Sequence, residues 1–101
     1  MAQSAGFHEE LSVLKPETTD RHRAIVSIME ELEAADWYDQ RIDAAHDAEL
    51  REILAHNRDE EKEHAAMLLE WLRRRDPALD KQLRRYLFKD KPILQIEEDA
   101  D

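Results

Sequence analysis

The sequence predicts an all-α protein: an antiparallel two-helix hairpin plus a short C-terminal helix, with two hairpins pairing into a four-helix bundle. Three observations predict it. The 101 residues hold one Gly and three Pro, so little interrupts a helix. From Glu17 to about Ala44 there is no Gly or Pro at all. Apolar residues also recur at alternating steps of four and three in two long segments, the period of a helix that buries one face.

Residues 1–14 show no sustained period and are expected to form a mobile N-terminal segment. The folded part is expected to span residues 15–89. Pro16 suits the first turn of a helix, where its missing N–H costs nothing, and Glu17 follows where the helix dipole favours an acid. Asp43-Ala44-Ala45-His46-Asp47 is the expected turn, with Asp47 capping a second helix and Glu49 in its first turn. That helix should run to about Arg75, where Arg73, Arg74 and Arg75 complement the negative end of the dipole. Asp76-Pro77 then caps and starts a third helix, about 77–88, carrying Leu79, Leu83, Tyr86 and Leu87. Lys91-Pro92 ends it; Glu97-Glu98-Asp99-Ala100-Asp101 is acidic and lacks an apolar face, and residues 90–101 are expected to form an acidic flexible tail.

Each long helix would have about 28 residues and measure roughly 42 Å. Two helices joined by so short a turn lie antiparallel and cannot enclose a core. A second copy of the chain is the simplest cover, so an obligate homo-oligomer is expected.

Composition narrows the function classes. There is no Cys, which excludes disulfides and thiolate sites, so any bound metal must use oxygen and imidazole ligands. A net charge of -10 disfavours nucleic acid and anionic membranes as partners and attracts cations. No apolar run approaches the roughly 18 residues of a membrane span, and the N-terminus has no basic start followed by an apolar stretch. A cytoplasmic location is the default expectation.

The chemistry concentrates on one Glu-x-x-His, Glu61 to His64. In the second helix the four-three steps pick out Leu50, Leu54, Asn57, Glu61, His64, Leu68 and Trp71; in the first they pick out Ala24, Ile28, Glu31, Ala35, Tyr38 and Ile42. Glu31 thus stands where Ile or Leu would serve a core, and a buried carboxylate needs a compensating partner. Di-metal four-helix carboxylate proteins take a Glu from each of two helices and a Glu-x-x-His from each of the other two. This chain carries one of each, which is half of such a site.

Composition with 14 Glu and five His yields roughly 0.7 chance Glu-x-x-His motifs, so phasing on the seam carries the signal. Two readings of the seam stand: a metal site, or a polar layer that fixes helix register. Carboxylates with few imidazoles suit iron or manganese better than structural zinc. Trp37 and Tyr38 lie within two turns of Glu31 and are candidates to tune the site. His56 and Glu60 form a His-x-x-x-Glu, but no His-x-x-x-His occurs, which argues against an oxygen carrier of the hemerythrin type.

At Arg21-His22-Arg23-Ala24-Ile25-Val26-Ser27, Met29-Glu30-Glu31-Leu32-Glu33-Ala34, Asp36-Trp37-Tyr38-Asp39-Gln40-Arg41 and His56-Asn57-Arg58-Asp59-Glu60-Glu61-Lys62-Glu63-His64-Ala65, the chain resembles the encapsulated ferritins. These are the ferritin-like cargo of bacterial encapsulin nanocompartments. The resemblance runs from about Leu11 to Phe88 and includes Glu70-Trp71-Leu72-Arg73-Arg74 and Tyr86-Leu87-Phe88. It implies a ferritin-like four-helix bundle made by two chains and a ferroxidase whose di-iron centre uses Glu31, Glu61 and His64 from each, with Trp37 and Tyr38 nearby. It further implies dimers assembled into a decameric ring that passes oxidised iron to the encapsulin lumen. Metal near the dimer interface would lie at Glu30 and Glu33 on an uptake route, and an outer site would lie at His56, Glu60 and Glu63. Family members carry a short Gly- and Leu-containing peptide that docks into the encapsulin shell; no such segment is seen up to Asp101. Location inside a nanocompartment is therefore expected from the resemblance alone. Without the resemblance, a non-catalytic metal-binding or helical assembly module is the alternative.

Overall fold

The computed structural model describes residues 6–99. Among them the chain forms a 3-10 turn, Leu11–Val13, and four helices: α1 (Pro16–Ala44), α2 (Ala48–Arg74), α3 (Pro77–Tyr86) and α4 (Ile93–Asp99). The local signals act where expected. Pro16 opens α1, and three residues then suffice to reverse the chain before the Asp47 carboxylate accepts the Leu50 N–H at 2.9 Å and caps α2. Asp76 caps α3 in the same way, accepting from Leu79 N–H at 3.0 Å.

α1 and α2 run antiparallel as a hairpin, tied near its turn by Arg58 of α2 and Asp39 of α1 at 3.0 Å. Their contact is lined by small residues. Ala24 and Ala35 of α1 and Ala65 and Leu72 of α2 are the buried positions, since alanines let two helix backbones approach closely. The α1 seam is borne out, with Ala24, Ile28, Glu31, Ala35, Tyr38 and Ile42 all buried or half-buried. Of the α2 seam, Leu54, Asn57, Glu61, His64, Leu68 and Trp71 are half-buried as well. Leu50 is 46% exposed, and the most enclosed α2 residues are Ala65 and Leu72, each one position beyond His64 and Trp71. A single partner helix covers only one sector of α2, and that sector is centred on Ala65, which leaves His64 and Trp71 at its margin.

Three expectations are corrected at the ends. α3 stops at Tyr86 because Leu87 is extended and Phe88 takes a left-handed φ of 59°. Residues 6–14 are not featureless: the Phe7 ring packs on His22 of α1 with centroids 4.2 Å apart, ahead of the 3-10 turn. The remainder of the expected mobile segment, residues 1–5, lies outside the described residues. Residues 93–99 form α4 rather than a flexible acidic tail. Ile96 is buried, and Asp99 is held by Lys91 and Gln95, both at 2.9 Å, so one apolar contact and two local bonds offset the acidity. Residues 100–101 of the expected tail also lie outside the described residues.

α2 and α3 are joined by charge. The Arg73 guanidinium bonds Glu70 at 2.7 and 2.8 Å and reaches Asp80 across the turn, while Arg74 adds a second cation to Glu70 at 2.7 Å. The chain buries little apolar surface by itself. No side chain among the described residues is fully enclosed, and its radius of gyration of 17.4 Å exceeds the ~12–13 Å of a compact domain of this length. Ile25, Leu32, Trp37, Ile53 and Met67 are exposed along the hairpin, and Phe88 is completely so.

Candidate metal centre

Midway along the hairpin, α1 presents Glu31 and α2 presents Glu61 and His64 three residues apart on one face. One ligand atom from each lies within 4.8 Å of the other two, and among the described residues this is the one group of three or more such donors. His64 Nδ1 stands 3.5 Å from Glu31 Oε2. That oxygen is buried and has no hydrogen-bond donor, an arrangement that costs free energy in a polar group withdrawn from water. The His64 side chain is 41% exposed and that of Glu31 25%, so the group is covered on the hairpin side and open on the other.

The electrostatics are those of crowded acids. The Glu61 carboxyl is held above its ordinary value, first because it hydrogen-bonds Glu31 when protonated, then by burial and by the Glu31 charge; His64 offsets part of this. Two carboxylates and an imidazole, with one oxygen lacking a donor, fit a divalent cation of the iron, manganese or zinc type. A cation would supply the positive charge that Glu31 Oε2 lacks and offset the repulsion between the Glu31 and Glu61 carboxylates.

The other candidates are distributed differently. Trp37 is 48% exposed; Tyr38 is half-buried with the Arg41 guanidinium 5.4 Å from its ring centroid. Neither hydrogen-bonds Glu31, Glu61 or His64 among the described residues. Glu30 is exposed and Glu33 half-buried on α1, and they form no three-donor group. His56 Nε2 meets Glu60 Oε1 at 2.5 Å on the outer face of α2, while Glu63 does not join them as a third donor.

One feature beside the centre escaped sequence reasoning. A groove of about 640 Å³ runs from Asp20, Arg23 and Ser27 to His64, Met67 and Trp71. Asp20, Arg23 and Ser27 stand three and four residues apart on a stripe of α1 beside Ala24, and that spacing was the available signal.

Fold and donor set together define an all-α helical hairpin carrying an open carboxylate-histidine centre. The profile of the EncFtn-like family matches residues 6–90. The chain belongs to that family. It is 68% identical over 98 residues to an encapsulated ferritin-like protein of Rhodospirillum rubrum, covering 96% of this chain and 70% of that one. A ferritin-like protein of Thermotoga maritima is 56% identical, with 93% and 82% covered. The encapsulin nanocompartment cargo protein EncC of Myxococcus xanthus is 40% identical, with 76% and 59% covered. The crystal structure of protein ne0167 from Nitrosomonas europaea superposes with a TM-score of 0.84 at 65% identity, covering 87% of this chain and 97% of that one.

Proposed function

We propose that two copies of the chain face their open seams across a two-fold axis, and that the paired Glu31, Glu61 and His64 sets form a ferroxidase site. The observation that supports this most directly is the open three-donor group with the buried, donorless Glu31 Oε2. Two Fe(II) are the substrate. Each gives up one electron and dioxygen takes both, with protons supplied from solvent. Four carboxylates around two ions favour Fe(III) over Fe(II), because the higher charge gains more from the same anions. Fe(II) binding favours the ionised form of Glu61, against the raised proton affinity that Glu31 imposes. Trp37 and Tyr38, within two turns of Glu31, line the site once the second copy is present. Glu30 and Glu33 form an uptake route, and His56, Glu60 and Glu63 an outer site.

The names of two relatives, an encapsulated ferritin-like protein and an encapsulin nanocompartment cargo protein, support an encapsulin shell as partner and the inside of a nanocompartment as location. In this reading dimers close into a decameric ring, which hands Fe(III) to the shell lumen for mineralisation.

The test is stopped-flow oxidation of anaerobically loaded Fe(II) on mixing with oxygen, with the oligomer followed by native mass spectrometry. Glu31→Ala, Glu61→Ala and His64→Ala should each slow ferric absorbance by more than about tenfold while the helices remain folded. Parental rates in all three would refute the assignment. Fe(II) binding without oxygen-dependent oxidation would leave a non-catalytic metal-binding module.

A further inference from the structure

A second open surface lies away from the metal centre, between α2 and α3. Ala66, Leu69, Leu83, Leu87 and the fully exposed Phe88 give it an apolar floor and wall, in a cavity of about 570 Å³. Its surroundings are cationic. Residues 73–91 hold eight of the 15 Lys and Arg against three acids, in a chain whose net charge is -10. Arg73 and Arg84 on the rim are engaged by Glu70 and Asp80, whereas Lys89 makes no ion pair among the described residues.

α4 has the opposite character. Its inner side carries Ile96, which is buried, and Asp99, which bonds Lys91 and Gln95. At 100° per residue the opposite arc carries Ile93, Leu94, Glu97 and Glu98. Ile93 and Leu94 are 71% and 73% exposed, and the two glutamates follow them one turn later. The helix therefore presents two large apolar side chains and two negative charges outward, with nothing among the described residues to receive them. Ile96 and Asp99 line a pocket with Arg85, Lys89 and Lys91, and Lys91 bonds Asp99, so α4 turns its inner side, not the Ile93–Leu94 arc, toward its own chain.

We propose that the groove between α2 and α3 receives the outer face of α4 from a second copy of this chain. Ile93 and Leu94 enter the apolar channel beside Leu83, Leu87 and Phe88, and Glu97 and Glu98 meet the cationic rim at Lys89. This contact uses none of the metal-centre residues and adds an interface separate from the two-fold seam. It does not depend on iron or on the ferroxidase reading.

The absence of native cysteine makes a clean test by cross-linking. Full-length Leu94→Cys and Ala66→Cys variants, each checked for helix content, are mixed and mildly oxidised, and the products are identified by intact mass. Any mixed disulfide joins two chains, and it forms only where the Cα atoms approach within about 7 Å. A mixed dimer well above the random-pairing share is expected; a share at or below random overturns the proposal. A second arm tests the charges. Glu97→Lys with Glu98→Lys should lower the mixed dimer roughly tenfold, and adding Lys89→Glu to the groove-bearing chain should restore it. No loss on reversal, or no restoration, overturns the charge match on which the docking rests.

Discussion

His64 of α2 brings Nδ1 to 3.5 Å from Glu31 Oε2 of α1, yet that oxygen has no hydrogen bond. The two helices are held in register around a polar pair that does not satisfy itself. A cation at this point would link them. Zn(II), or Fe(II) without oxygen, is therefore expected to raise the melting temperature of the parent, by up to about 2.7 kcal/mol of stability at a hundredfold excess over Kd. Glu31→Ala should abolish the increment. Thermal melts followed by circular dichroism, at fixed protein concentration with and without metal, give the answer, and an equal increment in the variant would place the ion elsewhere.

Proton and metal compete at Glu61. Its carboxyl is raised by Glu31, so in the metal-free protein its contribution to stability is fully present below the ordinary value of 4.5 and is lost as pH climbs through the raised value. Metal-free stability should fall over that window, and Glu61→Gln should remove the fall. Metal affinity should move the opposite way, strengthening as Glu61 loses its proton. Melts and anaerobic metal titrations across pH 4 to 8 would expose either sign being wrong.

Removing the acid should stabilise the metal-free protein. Glu31→Leu replaces a carboxylate bearing a donorless oxygen with the residue the seam otherwise calls for, and about 1 kcal/mol of added stability is expected, at the cost of iron oxidation. Chemical denaturation of the variant without metal, set beside its oxidation rate, tests the trade. A less stable Glu31→Leu would show that the carboxylate is satisfied in the assembled protein.

Much of the fold was legible because its signals are local. Pro16, Asp47, Asp76 and Pro77 act within a turn of where they stand, and the four-three steps placed Glu31, Glu61 and His64 on facing helices. What the sequence did not reveal depends on contacts between distant residues. That α2 is most enclosed at Ala65 and Leu72, one position beyond His64 and Trp71, depends on how closely α1 approaches, which seam phasing does not encode. α4 was missed because Glu97, Glu98 and Asp99 dominate its composition, whereas burial of Ile96 and the Lys91–Asp99 pair decide it. Glu30, Glu33, His56, Glu60 and Glu63 share stripes in sequence, but no three of them converge within one chain.

The attachment of α3 to α2 should be sensitive to acid. Glu70, held at about 2 first by Arg73 and then by Arg74, and Asp80, lowered first by Arg73, are both more acidic than their ordinary values. Depressed carboxylates contribute stability that is present above their unfolded values and lost as pH falls through the folded ones. For Glu70 that window runs from 4.5 down to about 2. Because these groups face solvent, salt should weaken the same contact. Hydrogen exchange of the α3 amides should therefore quicken relative to α1 as the acid window is entered, and Arg73→Ala should produce the same change at neutral pH. The Asp76 cap gives an independent scale, since Asp76→Ala should cost about 1 kcal/mol, or roughly fivefold in the local opening equilibrium. If α3 and α1 exchanged in parallel across the window, α3 would be held by its apolar residues, and the Glu70–Arg73–Asp80 network would be only a surface ornament of the turn.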